Sequence, residues 1–226
     1  MQAKYVAASP HNLVRIILGQ RHDSDTDADN VYTRGAAYLK QWIAEGILAQ
    51  DPAPAFYAYF QEFEVPDSGE RLTRKGFIGL GQVEDYEAGI VYRHEQTLSG
   101  PKKDRLQVLR NSRAHFGQIF MLYPDREGAV DKELDAAAQS KPVFDVVDEY
   151  GARHTLYAVT DPARIAHIEQ LMVPMKLLIA DGHHRYETAL NYRNEKPEDP
   201  AAKFVMMTFV KDRKSTRLNS SHGYIS

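Results

Sequence analysis

The sequence predicts an α+β fold, a mixed sheet with flanking helices, and three observations carry that expectation. Short apolar runs of strand length, rich in β-branched and aromatic residues, recur along the chain, as at residues 56–65 and 203–210. Between them lie stretches with helical periodicity, some opened by capping pairs such as Asp161-Pro162. The two kinds alternate too irregularly for a doubly wound parallel sheet, and no internal repeat is evident.

In chain order, residues 12–18 (Asn-Leu-Val-Arg-Ile-Ile-Leu) read as a buried, β-branched strand. A chain that reaches a core strand this early is expected to lack an upstream segment. The alternating acids from Asp23 to Asp29 have the rhythm of a calcium loop. Ala28 stands where that turn needs glycine, however, and Arg34 where its bidentate glutamate belongs. They read instead as a solvated loop that caps the next helix. That helix, residues 31–48, aligns Tyr32, Leu39, Trp42, Ile43 and Ile47, which places Trp42 in the core. Pro52 and Pro54 break it. Residues 56–65 and 74–83 form an antiparallel hairpin about the polar turn at Pro66-Asp-Ser-Gly69. Gly76, Gly79 and Gly81 lack the helix start of a dinucleotide fingerprint and are expected to permit close strand packing.

Gly100-Pro101 opens a helix whose apolar side carries Leu106, Leu109 and Phe116. A strand at 118–123, a helix at 131–139 and a hairpin of 142–150 with 153–160 follow. Asp161-Pro162 then starts a helix to Met172. The C-terminal part reads as a strand at 177–180, a helix to about Asn194 and a last strand at 203–210. Residues 1–211 are expected to form one α+β domain. Residues 212–226 resemble the in-frame translation of a sequencing-library adapter and are expected to be a disordered, non-native tail.

Composition narrows the chemistry. The chain has no cysteine, which excludes disulfides, thiolate metal sites and cysteine nucleophiles. No apolar run approaches membrane-span length and no leader-like segment opens the sequence, so a cytoplasmic location without membrane contact is expected. The net charge is −3, and the tail, with Asp212 against Arg213, Lys214 and Arg217, makes the remainder more acidic still. An acidic body argues against nucleic acid as a partner.

The chemically densest stretch is Asp181-Gly-His-His-Arg185, between the predicted strand and a helix with Tyr186, Ala189 and Leu190 on its apolar side. Three readings of it stand. As a metal site it offers two histidines and an acid, but consecutive helix positions diverge by roughly 100°, so both histidines reach one ion only with help from elsewhere. As pure structure, Asp181 caps the helix. As a phosphate cradle, Gly182 allows close backbone approach, the first-turn N–H groups and the helix dipole favour an anion, and Arg185 adds a bidentate cation. A second dense stretch holds His94-Glu95, a candidate acid/base or metal pair. On an extended strand the two point to opposite faces, so only one would line a site. In the helix that follows, Lys102, Lys103 and Arg105 oppose the dipole in the first turn. Lys102 and Arg105 are therefore candidates for holding a phosphate or carboxylate.

Several motifs in order (Ser9-Pro-His-Asn12, Arg93-His-Glu-x-Thr97, Gly100-Pro-Lys-x-Asp-Arg-Leu106 and Ile179-Ala-Asp-Gly-His-His-Arg-Tyr-Glu-Thr-Ala-Leu190) resemble the domain-of-unknown-function family numbered 1015. The resemblance runs from about Tyr5 to Lys211. It implies that an N-terminal segment with a Pro-Pro-Tyr-Asp-like motif and a C-terminal portion are missing, so that this is an internal fragment. The family's Asp-Gly-His-His-Arg turn is in turn similar to the nucleotide-binding turn of the ParB/sulfiredoxin superfamily, where free serine kinases hold ADP or ATP. That similarity implies a nucleotide-dependent kinase of a small, serine-like hydroxylated metabolite, with Mg²⁺ accompanying the nucleotide. Gly182, His183, His184 and Arg185 would grip phosphates, Asp181 and His184 would be catalytic, and His94, Glu95, Lys102 and Arg105 would face the substrate. Two alternatives accompany it: a ParB-like nucleotide-binding switch without turnover, and a metal-dependent hydrolase through His183 and His184.

Overall fold

The structure, a computed structural model, describes residues 2–94 and 100–212, without the side chains of residues 100–102. The expected tail beyond residue 212 and Glu95 lie outside the described residues. The described residues sort into two compact units, one drawn from residues 2–52, 100–117 and 184–203, the other from 53–94, 118–183 and 204–212.

The second unit holds a mixed sheet of eight strands: β1 (Phe56–Glu64), β2 (Arg71–Gln82), β3 (Val91–Tyr92), β4 (Ile119–Tyr123), β5 (Phe144–Val147), β6 (Arg153–Val159), β7 (Leu177–Asp181) and β8 (Phe204–Lys211). Their order is β3-β7-β4-β8-β2-β1-β6-β5, with β3/β7 and β4/β8 parallel and the other neighbours antiparallel. The fold is α+β with a mixed sheet, as the irregular alternation of elements implied. The expected β1–β2 and β5–β6 hairpins form, the second turning through Gly151 in the left-handed region. The two-residue period puts Ile119, Met121 and Tyr123 of β4 and Val205, Met207 and Phe209 of β8 into the core. Two helices of this unit, α5 (Ala129–Ala137) and α6 (Pro162–Met172), add Val130, Leu134 and Ile168. Asp161 caps the second, accepting a hydrogen bond from the Ala163 N–H. A side chain at Gly76 would collide with the Phe209 carbonyl, and one at Gly81 with the Met207 sulfur, so these glycines do let the strands close up.

The first unit is helical. Its elements are α1 (Gln2–Ala8), α2 (Val14–Ile17), α3 (Val31–Ala44), α4 (Gly100–Ser112) and most of a helix at His183–Glu195. Two departures from the sequence reading fall here. Residues 12–18 are not a strand: Asn12 Oδ1 accepts the Val14 N–H, the Asn12 carbonyl accepts the Arg15 N–H, and a short helix follows. A brief apolar run has no periodicity to separate strand from helix, and the asparagine turn decides it. The helix from Val31 ends at Ala44 instead of continuing to 48, because Gly46 takes a left-handed φ of 71°. Its start is as expected. Asn30 accepts the Tyr32 and Thr33 N–H groups, and Asp25 and Asp29 of the acidic loop pair with Arg34. Trp42 is 2% exposed, packed edge-on against the His11 ring, whereas Ile43 and Ile47 face outward. Leu106 and Leu109 of α4 pack with Tyr192 and Ala202, and Arg110 forks onto Glu195.

Candidate functional site

The central turn is built from a strand and a helix that are each anchored by buried residues. β7 buries Ile179; the helix, numbered α7 (His183–Glu195), buries Tyr186 and Ala189. Between them Gly182 adopts a φ of 94°, a conformation that side-chain-bearing residues rarely hold. The β4–β7 register shifts between Phe120 and Met121, and Asp181 pairs with Phe120 on the far side of that irregularity. Asp181 is exposed and His183 is buried at 4%. His184 and Arg185 are half-buried. Thr188 donates its hydroxyl to the His184 carbonyl at 2.7 Å. His184 Nε2 is buried and makes no hydrogen bond among the described residues. The His94 ring meets the His183 ring edge-on, 4.6 Å between centroids. β3 stops at Tyr92, so His94 lies beyond the strand, not within it. The Arg93 guanidinium lies over the Tyr86 ring.

The helical unit contains a pocket of about 410 Å³ that takes two of the sequence candidates, Arg105 of α4 and Arg185 of α7. Ile17, Leu18, Val108, Leu109 and Phe116 supply apolar walls, and Asp104, His115 and Thr188 the remaining polar groups. Asp104 is fixed by two donors, Arg21 at 2.8 Å and the Tyr32 hydroxyl at 2.7 Å. Among the described residues no carboxylate pairs with Arg105, so its charge is not compensated there. Arg185 lies against Gly117, where an added Cβ would sit 3.2 Å from Nη1 and 3.3 Å from Cδ. Burial lowers the pKa of His115 below the ordinary imidazole value, because an imidazolium there would lose hydration. The pocket therefore combines two guanidinium groups, a histidine biased toward neutrality and an apolar wall.

Of the sequence candidates, the structure brings Arg105 and Arg185 into one pocket and sets His94 on His183. Lys102 falls on α4, but its side chain is outside the described set, as is Glu95 entirely. Sequence reasoning assigned no role to Asp104, His115, Gly117 or Thr188. The one available signal was position: Asp104 lies inside the 100–106 motif, and His115-Phe-Gly117 joins the basic helix to a strand. Among the described residues no group of three or more histidine, aspartate or glutamate side chains is placed to hold a metal ion. Nor is any helix among them long and apolar enough to cross a membrane.

A family described as protein of unknown function (DUF1015) matches residues 1–218. The chain belongs to that family. No curated protein and no solved structure matches it.

Proposed function

We propose that this chain, as a member of the DUF1015 family, binds ADP or ATP and serves as a nucleotide-dependent kinase of a small, serine-like hydroxylated metabolite. The observation that carries the reading is the convergence of Arg105 and Arg185, far apart in sequence, on one pocket with an apolar wall. Its volume of about 410 Å³ is in the range of small-ligand sites, roughly 300–1,000 Å³. Paired guanidinium groups suit phosphate oxygens, which they meet through forked, charge-assisted hydrogen bonds. The apolar wall formed by Leu18, Val108 and Phe116 suits the base or ribose face of a nucleotide. The positive end of the α7 dipole, reached through the tight bend at Gly182, adds to the same preference for an anion.

In this reading Arg185, at the end of the Gly182 turn, and Arg105 hold the phosphates. Asp181, exposed on the same turn, accepts the proton of the attacking hydroxyl as its oxygen bonds to phosphorus and the bond to the departing nucleotide breaks. His184, whose Nε2 has no partner among the described residues, would donate to a phosphate oxygen in this reading. Mg²⁺ carried with the nucleotide supplies charge neutralisation. Incubation with labelled ATP or ADP and a panel of hydroxy-amino acids tests the reaction directly. Phosphorylated serine-type product, lost in Asp181→Asn, is the expected result. Nucleotide binding without any transfer would turn the reading toward a nucleotide-sensing switch.

A further inference from the structure

The pocket that takes Arg105 and Arg185 also contains a carboxylate, from which a phosphate gains nothing. Asp104 and Arg105 follow one another on α4, and both line the cavity. The ion pair that Asp104 makes is with Arg21, not with a pocket arginine. Arg21 donates to Oδ1 at 2.8 Å, and the Tyr32 hydroxyl donates to the same oxygen at 2.7 Å. Neither donor lines the pocket, so the carboxylate is held from behind. The Arg21 guanidinium also lies over the Tyr32 ring, 5.3 Å from its centroid, and the two donors brace each other. Oδ2 accepts no hydrogen bond among the described residues, and the side chain is 48% exposed, so a ligand can reach that oxygen.

An ionised carboxylate oxygen accepts and cannot donate, so its partner on a ligand carries an O–H or N–H group. Charge separates the two. Arg21 already compensates Asp104, and Arg105 stands next to it, so a ligand ammonium would meet more positive charge than negative. A neutral hydroxyl makes the same charge-assisted hydrogen bond without that repulsion. Val108, four residues on and one turn along the same side of α4, adds an apolar surface. Arg105, Asp104 and Val108 thus offer a cation, an acceptor and an apolar contact, and a nucleotide runs phosphate, sugar, base. We propose that Asp104 is a specificity residue that accepts a hydrogen bond from a ribose hydroxyl, so that the pocket prefers ribonucleotides to nucleotides lacking the sugar hydroxyls. This rests on the nucleotide reading of the pocket and adds the sugar to its phosphate contacts.

Calorimetric titration of ADP and of 2′,3′-dideoxy-ADP, each with Mg²⁺, into the full 226-residue chain tests the proposal. The same titrations are made with Asp104→Ala and with Asp104→Asn, which keeps an oxygen for Arg21 and Tyr32, and circular dichroism confirms folding. The wild type should bind ADP about tenfold more tightly than the dideoxy analogue, the low end for a hydrogen bond to a charged group. That preference should vanish in Asp104→Ala and shrink in Asp104→Asn. The ratio of the two affinities is the readout, because releasing Arg21 changes the binding of both ligands alike. A wild type that binds both equally overturns the proposal and leaves the nucleotide reading standing, as does a preference that neither variant lowers. A folded wild type that binds neither overturns the nucleotide reading and the proposal with it.

Discussion

At the scale of single residues, Arg185 is positioned by what Gly117 lacks. A methyl group at residue 117 would press on the guanidinium from 3.2 Å, so the Arg185 side chain must shift by a few tenths of an ångström to admit it. Gly117→Ala should therefore weaken nucleotide binding several-fold without unfolding the chain, less than Arg185→Ala, which removes the cation outright. Titration of both variants beside the wild type checks the order. His115 is the second residue whose surroundings set its behaviour. Burial favours its neutral form, so as pH falls through the ordinary histidine value of about 6.5 the unfolded chain takes up a proton that the folded chain resists. Stability should fall with acidification from there and level off once His115 protonates in the folded state. Its slope is at most about 1.4 kcal/mol per pH unit, that of one proton. Urea unfolding between about pH 7 and about pH 5.5 should show that slope reduced in His115→Gln; an unchanged slope would place the titration elsewhere. Arg105 and Arg185 were legible in the sequence because each sits at a motif with its own local logic, a basic first turn and a glycine-punctuated strand end. His115 and Gly117 were not, because a loop residue's role is set by what folds against it.

At the scale of elements, the strand-turn-helix from Leu177 to Glu195 is the best-read part of the chain. Its apolar run, its glycine and its helical face each point to one local structure, and Ile179, Gly182 and Tyr186 occupy the positions those signals imply. Gly182→Ala forces a side chain into a left-handed conformation and should cost about 1–3 kcal/mol. Chemical denaturation measures it, and a change near zero would mean the turn relaxes to a negative φ without penalty. The misread element, α2, fails for the opposite reason. Four residues carry no period, and its helical state rests on the Asn12 turn and on burying Val14 and Ile16. α1, at Gln2–Ala8, buries no residue and offers no apolar stripe to read.

At the scale of the whole molecule, the fold class followed from counting and spacing elements, but the strand order did not. β8 inserts between β4 and β2, and β7 between β3 and β4, by pairings between segments far apart in sequence. Local propensity says nothing about such choices. The same limit hid the pocket, whose two arginines come from separate segments that the fold alone unites. The central claim is that this pocket holds a nucleotide's phosphates through Arg185. Calorimetric titration of ADP and of ATP, each with Mg²⁺, into the wild-type chain and into folded Arg185→Ala tests it most directly. Saturable binding to the wild type, weakened about 10- to 100-fold in the variant as expected for losing a charge-assisted contact, is the predicted result. Binding of neither nucleotide to the folded wild type, or equal binding to both proteins, would contradict it.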